Sequence, residues 1–124
     1  MARVIGVGGV FFKSDDPDRL YEWYVEHLSI RRNDGPGVSF MTRDQPDSGY
    51  LVWGAFKSDT RYFEPAAKPY MLNMIVDDLD GALNQVQAGG ADVVGEIEAH
   101  DNGRFGWFMD PDGNKVELWE PKLR

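Results

Sequence analysis

An internal repeat constrains the fold of this chain more than any other feature of its sequence. Residues 15–18 (Asp-Asp-Pro-Asp) are matched by residues 77–80 (Asp-Asp-Leu-Asp), and residues 50–53 (Tyr-Leu-Val-Trp) by residues 116–119 (Val-Glu-Leu-Trp). The matches recur at a spacing of roughly sixty residues, and each half reads as a strand and a helix followed by further strands, which we interpret as a βαβββ unit. A βαβββ unit of this size cannot bury its sheet alone. We therefore expect two such modules to share one core.

The first half is expected to form a module over about residues 1–57, followed by a linker at about 58–68 that lacks apolar periodicity. Apolar and β-branched residues predict strands at 4–13, 38–42 and 50–56. Residues 33–37 (Asn-Asp-Gly-Pro-Gly) predict a turn. A helix is expected to begin near Asp15, Asp16 and Pro17, because acidic residues and proline are typical of a first helical turn. It continues to His27 with an apolar stripe on one face.

The second half, at about residues 69–124, repeats this order within the same single domain. Strands are predicted at 70–76, 91–97, 105–109 and 115–119, with turns at 100–103 and 110–114. A helix at 79–88 follows two aspartates and is closed by Gly89 and Gly90. Gly113 is expected to take the positive φ of the last turn. In the last strand Glu117 faces away from its two apolar neighbours, so one face carries an acid.

The composition limits the possible partners. The 124 residues are 42% hydrophobic and 27% charged, which is typical of a soluble globular domain. A net charge of −8 argues against nucleic acid and anionic membranes as partners, because both require clustered lysine and arginine. The sequence has no cysteine, which excludes disulfides and thiolate metal sites. Residues 1–12 contain only short apolar runs, so no signal peptide or spanning helix is predicted and a cytoplasmic protein is expected.

Three stretches together resemble the vicinal oxygen chelate superfamily, which includes glyoxalase I, bleomycin-resistance proteins and extradiol dioxygenases. They are GGVFFKSDDPDRLYEWYVEHLSI, VDDLDGALNQVQAGGADVV and GWFMDPDGNKVELWEP, and they cover both halves of the chain. The resemblance implies an α+β fold in which two βαβββ modules form a curled mixed sheet around a cleft. It also implies a homodimer, which in this superfamily often completes the cleft.

The resemblance also indicates where a metal would bind. Metal-dependent members usually take ligands from the first and last strands of each module, which correspond here to Gly9, Leu51, Met71 and Glu117. Gly9 and Leu51 offer no side-chain donor, and Met71 is a poor ligand for hard cations. His27 and His100 lie in the predicted helix and a turn, where histidine is usually a surface or helix-stripe residue. We therefore expect neither a metal nor a cofactor.

Strand parity predicts which side chains line the cleft, because side chains two apart share a face. The predicted lining residues are Phe11, Lys13, Trp53, Asn73, Ile75, Glu117 and Trp119, joined by Arg104 and Trp107 unless a bulge reverses their parity. Residues of the other parity are expected to pack on the helices: Val10, Phe12, Val52, Leu72, Met74, Val116 and Leu118. Such a cleft has the aromatic walls and few polar groups that small-molecule sites favour.

Two functions remain open on these residues. In the first, the chain is a metal-free module that binds a small aromatic or apolar molecule. In the second, it is a lyase or isomerase in which Glu117 is the general base, since burial raises the pKa of a carboxyl group. A metal enzyme with non-standard ligands is a third. The structural alternatives are core packing for the aromatic residues and a salt bridge from Glu117 to Lys13 or Arg104.

Overall fold

The computed structural model describes residues 1–5, 7–35 and 37–122. Gly6 of the first predicted strand, Pro36 of the predicted turn at 33–37, and the last two residues of the second module lie outside this part. The elements are α1 Pro17–Leu28, a short 3-10 helix Thr42–Asp44, β1 Leu72–Ile75, α2 Leu79–Ala88, β2 Asp92–His100, β3 Gly103–Met109 and β4 Lys115–Pro121.

Both acidic runs begin helices, as predicted. The carboxylate of Asp16 accepts the N–H of Arg19 at 3.2 Å, and that of Asp78 accepts the N–H of Gly81 at 3.0 Å. Each aspartate thus satisfies one of the N–H groups that a helix start leaves without an intrahelical partner. α2 ends at Gly89, and Gly90 follows with a φ of 90°, as expected for a glycine cap.

The second half forms the predicted βαβββ module. Its strands make one mixed sheet in the order β1-β4-β3-β2, with β1 parallel to β4 and the other pairs antiparallel. Both helices lie on one face, where Phe108, Val116 and Leu118 are fully buried in one core cluster with residues of α1 and α2. The α+β class is confirmed, and strand parity correctly places Leu72, Val116 and Leu118 in this core.

The first half differs from the prediction. Within its described residues, the segments at 4–13, 38–42 and 50–56 form no strands, and residue 42 begins the 3-10 helix instead. Their apolar side chains lie in solvent: Phe11 is 96% exposed, Trp53 88% and Leu51 71%. A strand needs a partner for its backbone N–H and C=O groups, and these segments pair with none of the described strands. The hydrophobic pattern therefore indicates segments that are able to pair as strands, rather than strands that are already paired within the described sheet.

The turn between β3 and β4 is closed by the side chain of Asp110. Its Oδ1 accepts the N–H groups of Asp112 and Asn114, both at 2.9 Å, and Gly113 takes the predicted positive φ of 77°. The amide of Asn114 donates to Oδ2 at 2.8 Å and accepts hydrogen bonds from Lys68 and Tyr70. The turn thereby fixes the start of β4, which carries Glu117.

Candidate functional site

Glu117 lies in the middle of β4 on the face opposite the helices. In the register of the sheet, Asn73 of β1 is its neighbour on one side and Trp107 of β3 its neighbour on the other. Because side chains directly opposite each other on adjacent strands project to the same face, all three point away from the core. Three strands thus bring one carboxylate, one amide and one indole together.

The carboxylate of Glu117 accepts hydrogen bonds from three side chains. Asn73 Nδ2 donates to Oε1 at 2.7 Å, whereas Trp107 Nε1 and the Tyr62 hydroxyl donate to Oε2 at 2.9 and 2.6 Å. Hydrogen bonds to an ionised carboxylate are short and stronger than neutral ones. Burial raises the pKa of Tyr62, and its hydrogen bond to Glu117 raises that pKa further. Tyr62 is therefore a donor, and Glu117 is the acceptor at the centre of the site.

Lys115 lies on the same face of β4, two residues before Glu117. Its Nζ donates to the backbone oxygen of Tyr62 at 2.6 Å and lies 5.1 Å from the centre of the Tyr62 ring. It is also 5.8 Å from the centre of the Trp107 ring. Burial lowers the pKa of this amine, while the acidic groups Glu117, Glu64 and Glu98 oppose the shift. The hydrogen bond from Lys115 therefore fixes the backbone of Tyr62, although burying the charged amine is energetically unfavourable.

A cavity of about 310 Å³ opens beside this cluster. Its lining residues are Tyr62, His100, Asn102, Phe105, Trp107 and Glu117. Behind Phe105, the Trp119 ring is parallel to it with 6.0 Å between centroids, and Trp119 Nε1 donates to the backbone oxygen of Asn102 at 2.9 Å. The cavity wall therefore includes the aromatic side chains of Tyr62, Phe105 and Trp107 and the carboxylate of Glu117.

The structure brings together some of the predicted site residues and separates others. Asn73, Trp107 and Glu117 meet directly, and Trp119 supports the wall. Phe11, Lys13 and Trp53 instead lie in exposed segments of the first half. Arg104 lies on the helix side, where it pairs with Asp80 at 2.9 Å and lowers the pKa of that carboxyl. Since Arg104 and Trp107 are three residues apart on one strand, they face opposite sides.

A family model described as a glyoxalase-like domain matches residues 9–119. The chain belongs to the glyoxalase-like family. This match covers most of the first half, in which the predicted strands do not form, and most of the βαβββ module. Among proteins of curated function, none matches the chain.

Several solved structures resemble this glyoxalase-like chain. A glyoxalase/bleomycin resistance protein/dioxygenase domain from Frankia sp. EAN1pec is 18% identical, covers 97% of this chain and 100% of its own, and has a TM-score of 0.57. An antibiotic binding protein from Streptomyces sp. CB03234 is 21% identical over 88% of this chain and 89% of its own, with a TM-score of 0.53. These similarities show the shared fold.

A third similarity is confined to part of the chain. A member of the glyoxalase/bleomycin resistance protein/dioxygenase superfamily from Sphaerobacter thermophilus DSM 20745 is 32% identical over 40% of each chain, with a TM-score of 0.36. The glyoxalase-like chain thus spans about two fifths of this relative, and 42% of a glyoxalase/bleomycin resistance protein from Streptomyces sp. CB03234.

The residues around Glu117 do not fit a divalent metal ion. Trp107 is only a donor, and the amide nitrogen of Asn73 and the hydroxyl of Tyr62 also direct hydrogens at the carboxylate. In the part of the chain that the structure describes, no three acidic or histidine side chains come together as a possible metal site. Gly9 and Leu51, where the resemblance places two ligands, lack side-chain donor atoms.

Four lining residues escaped the sequence prediction. Phe105 shares the parity of Trp107, so the strand period alone could have identified it. His100 and Asn102 lie at the β2–β3 connection, where His100 Nε2 is 3.1 Å from Glu98 Oε1. Tyr62 lies in the segment interpreted as a linker, and no periodicity marks it. Its role depends on a contact with a residue 55 positions away.

Proposed function

We propose that this glyoxalase-like chain binds a small aromatic or apolar molecule in the cavity beside Glu117, without a metal. The observation that supports this function best is the wall of Tyr62, Phe105 and Trp107 around a cavity of about 310 Å³. Small-molecule sites are typically about 300–1,000 Å³, mostly apolar, with a few polar groups that orient the ligand. Here Glu117, His100 and Asn102 are those polar groups.

The shared fold gives further support. The antibiotic binding protein from Streptomyces sp. CB03234 has this fold over most of both chains. Because one fold can support different functions, a chain with this fold can bind a small molecule without catalytic residues. The chemical identity of the ligand has to come from the residues of this chain.

The second candidate is a lyase or isomerase in which Glu117 is the general base. Glu117 is the carboxylate in the cavity wall, so it is the residue that a carbon acid would meet. The donors from Tyr62, Asn73 and Trp107 weigh against this role, because they stabilise the negative charge that a base must give up. Should a bound compound be turned over, a Glu117→Gln variant with full turnover would eliminate this mechanism.

The proposal includes a homodimer. Phe11, Leu51 and Trp53 are large apolar residues in solvent, and they lie on segments with strand-like sequences. In the described sheet, β1 and β2 are edge strands. A second copy offers apolar segments and free strand edges of the same kind, and removing the apolar side chains from water favours association. The cytoplasmic location expected from the sequence remains a prediction.

A fluorescence titration tests the binding function. Tryptophan emission is followed while a library of aromatic and apolar compounds is added to the wild type, to Trp107→Phe and to Trp23→Phe. Trp107 lines the cavity, whereas Trp23 lies on α1 and donates to the backbone oxygen of Gly89. We expect saturable quenching by at least one compound, reduced in Trp107→Phe and retained in Trp23→Phe. Absence of saturable quenching across the library would count against the proposal.

A further inference from the structure

Residues 57–68, which we name the strap, lie against the face of the sheet that carries Glu117. The Tyr62 hydroxyl donates to Glu117 Oε2 at 2.6 Å, and Lys115 Nζ donates to the backbone oxygen of Tyr62 at 2.6 Å. At the end of the strap, Lys68 Nζ donates to Asn114 Oδ1 at 2.8 Å. All three anchors on the sheet side come from β4 and the turn before it.

The strap is held by these hydrogen bonds more than by burial. Its backbone forms successive turns, such as the bond of 3.0 Å from the Thr60 N–H to the Lys57 oxygen, and Tyr62 remains 40% exposed. The Tyr62 ring is stacked on Phe56 and meets Trp107 edge-on, with 6.2 Å between the latter centroids. A segment with few buried apolar contacts opens more easily than the sheet beneath it.

The donors to Glu117 that the structure describes therefore differ in their freedom to leave. Asn73 and Trp107 belong to strands and are fixed by the sheet, whereas Tyr62 belongs to the strap. Tyr62 also lines the cavity, so a ligand that fills the cavity lies beside its hydroxyl. The acceptor position on Oε2 that Tyr62 occupies is accordingly the one that a ligand can take over.

We propose that Tyr62 is a specificity-determining residue. Without a ligand, its hydroxyl donates to Glu117 Oε2. An aromatic ammonium compound donates to the same oxygen in its place, and this exchange releases the strap. The inference rests on the proposed binding function and names the ligand class. A donor-free molecule cannot exchange with the hydroxyl, so it gains nothing from Glu117. An ammonium group replaces a neutral donor with a charged one, which makes the stronger hydrogen bond. The aromatic wall suits both the ring and the cation.

The test uses benzylamine and its donor-free analogue ethylbenzene as probes. Each is titrated calorimetrically against the wild type, Tyr62→Phe and the control Tyr21→Phe, which loses a phenolic hydroxyl on α1, on the other face of the sheet from the strap. We expect Tyr62→Phe to bind benzylamine about tenfold more tightly than the wild type, because the competing internal donor is gone. Ethylbenzene should bind all three proteins with the same affinity.

Trypsin cleavage reports on the strap when the fragments are identified by mass spectrometry, because one of the cleavage sites is the bond between Arg61 and Tyr62. The Arg61 side chain is 85% exposed, so cleavage depends on whether the strap is released. We expect faster cleavage in Tyr62→Phe without a probe, and faster cleavage of the wild type with benzylamine but not with ethylbenzene. Circular dichroism confirms that each variant is folded.

The outcomes separate the two proposals. If benzylamine binds the wild type and Tyr62→Phe equally, or if cleavage is the same in both, the exchange at Glu117 is overturned while the binding function stands. If neither probe binds any variant and no compound of the fluorescence library binds either, the binding function fails and this inference fails with it.

Discussion

The hydroxyl of Tyr24 on α1 donates to Oδ2 of Asp110 at 2.9 Å, joining residues 86 positions apart. Both residues are 5% exposed, so the bond lies in the interior. Burial raises the pKa of Tyr24, and the neighbouring Asp110 carboxylate raises it further, so the phenol stays protonated and donates. The bond links the helix of the first half to the turn that positions β4.

Removing this hydroxyl should lower the stability of the chain. In Tyr24→Phe the buried carboxylate loses one donor, which we expect to reduce the free energy of unfolding by about 1–3 kcal/mol. Urea denaturation measures the change. Tyr21→Phe, on the same helix, should stay within about 0.5 kcal/mol of the wild type. Equal values for the two variants would show that the bond to Asp110 contributes nothing.

Two glycines with positive φ should respond differently to alanine. Gly103 has a φ of 135°, and an added Cβ would meet the backbone oxygen of Glu120 and, at 2.8 Å, Trp119 Nε1. Gly113 has a φ of 77° and nothing within 4 Å of an added Cβ. We expect Gly113→Ala to cost about 1 kcal/mol for backbone strain alone, and Gly103→Ala to cost more because β4 must shift. Denaturant unfolding of both variants measures this; a smaller cost at Gly103 would contradict the packing described here.

The buried amine of Lys115 should make stability depend on pH. Because burial lowers its pKa below the ordinary 10.5, the unfolded chain binds more protons than the folded chain between the two values. The free energy of unfolding therefore rises with pH in that window. We expect the wild type to gain stability relative to Lys115→Met as the pH increases towards 10.5. Urea unfolding at a series of pH values checks this, and a constant or falling difference would refute it.

The exposed apolar segments of the first half should determine the oligomeric state. We expect the wild type to be a dimer and Trp53→Asp to shift towards monomer, since an exposed tryptophan is replaced by a charge at the proposed interface. Val25→Glu, at an exposed apolar position on α1, should leave the dimer intact. Light scattering coupled to size-exclusion chromatography measures the masses. A monomeric wild type would reject the homodimer.

The sequence predicted elements whose signals are local. Asp16, Asp78 and Gly113 determine caps and a turn through their own backbone contacts, and parity correctly placed Val116 and Leu118 in the core. The strand predictions for the first half were wrong, because strand formation depends on a pairing partner that the local sequence pattern does not reveal. Within the site, parity predicted that Asn73 and Glu117 share a face, whereas the sequence left the parity of Trp107 open.

Two features of the site required tertiary contacts. Tyr62 reaches Glu117 from a segment without periodicity, so its role could not be read from the sequence. Strand parity places Arg104 and Trp107 on opposite faces, and the contact of Arg104 with Asp80 of α2 shows that Arg104 is the one on the helix side. Hydrogen bonds between distant residues thus decide the parts of the site that spacing leaves open.

The most direct test follows the indole N–H signals of the four tryptophans by two-dimensional NMR during addition of an aromatic ligand. Trp107 Nε1 donates to Glu117 beside the cavity, whereas Trp23 Nε1 donates to the Gly89 oxygen behind the sheet. Single Trp→Phe variants assign the signals. We predict a saturable shift of the Trp107 signal with an unchanged Trp23 signal. A library that shifts neither signal, or shifts only Trp23, would contradict a ligand site at Glu117.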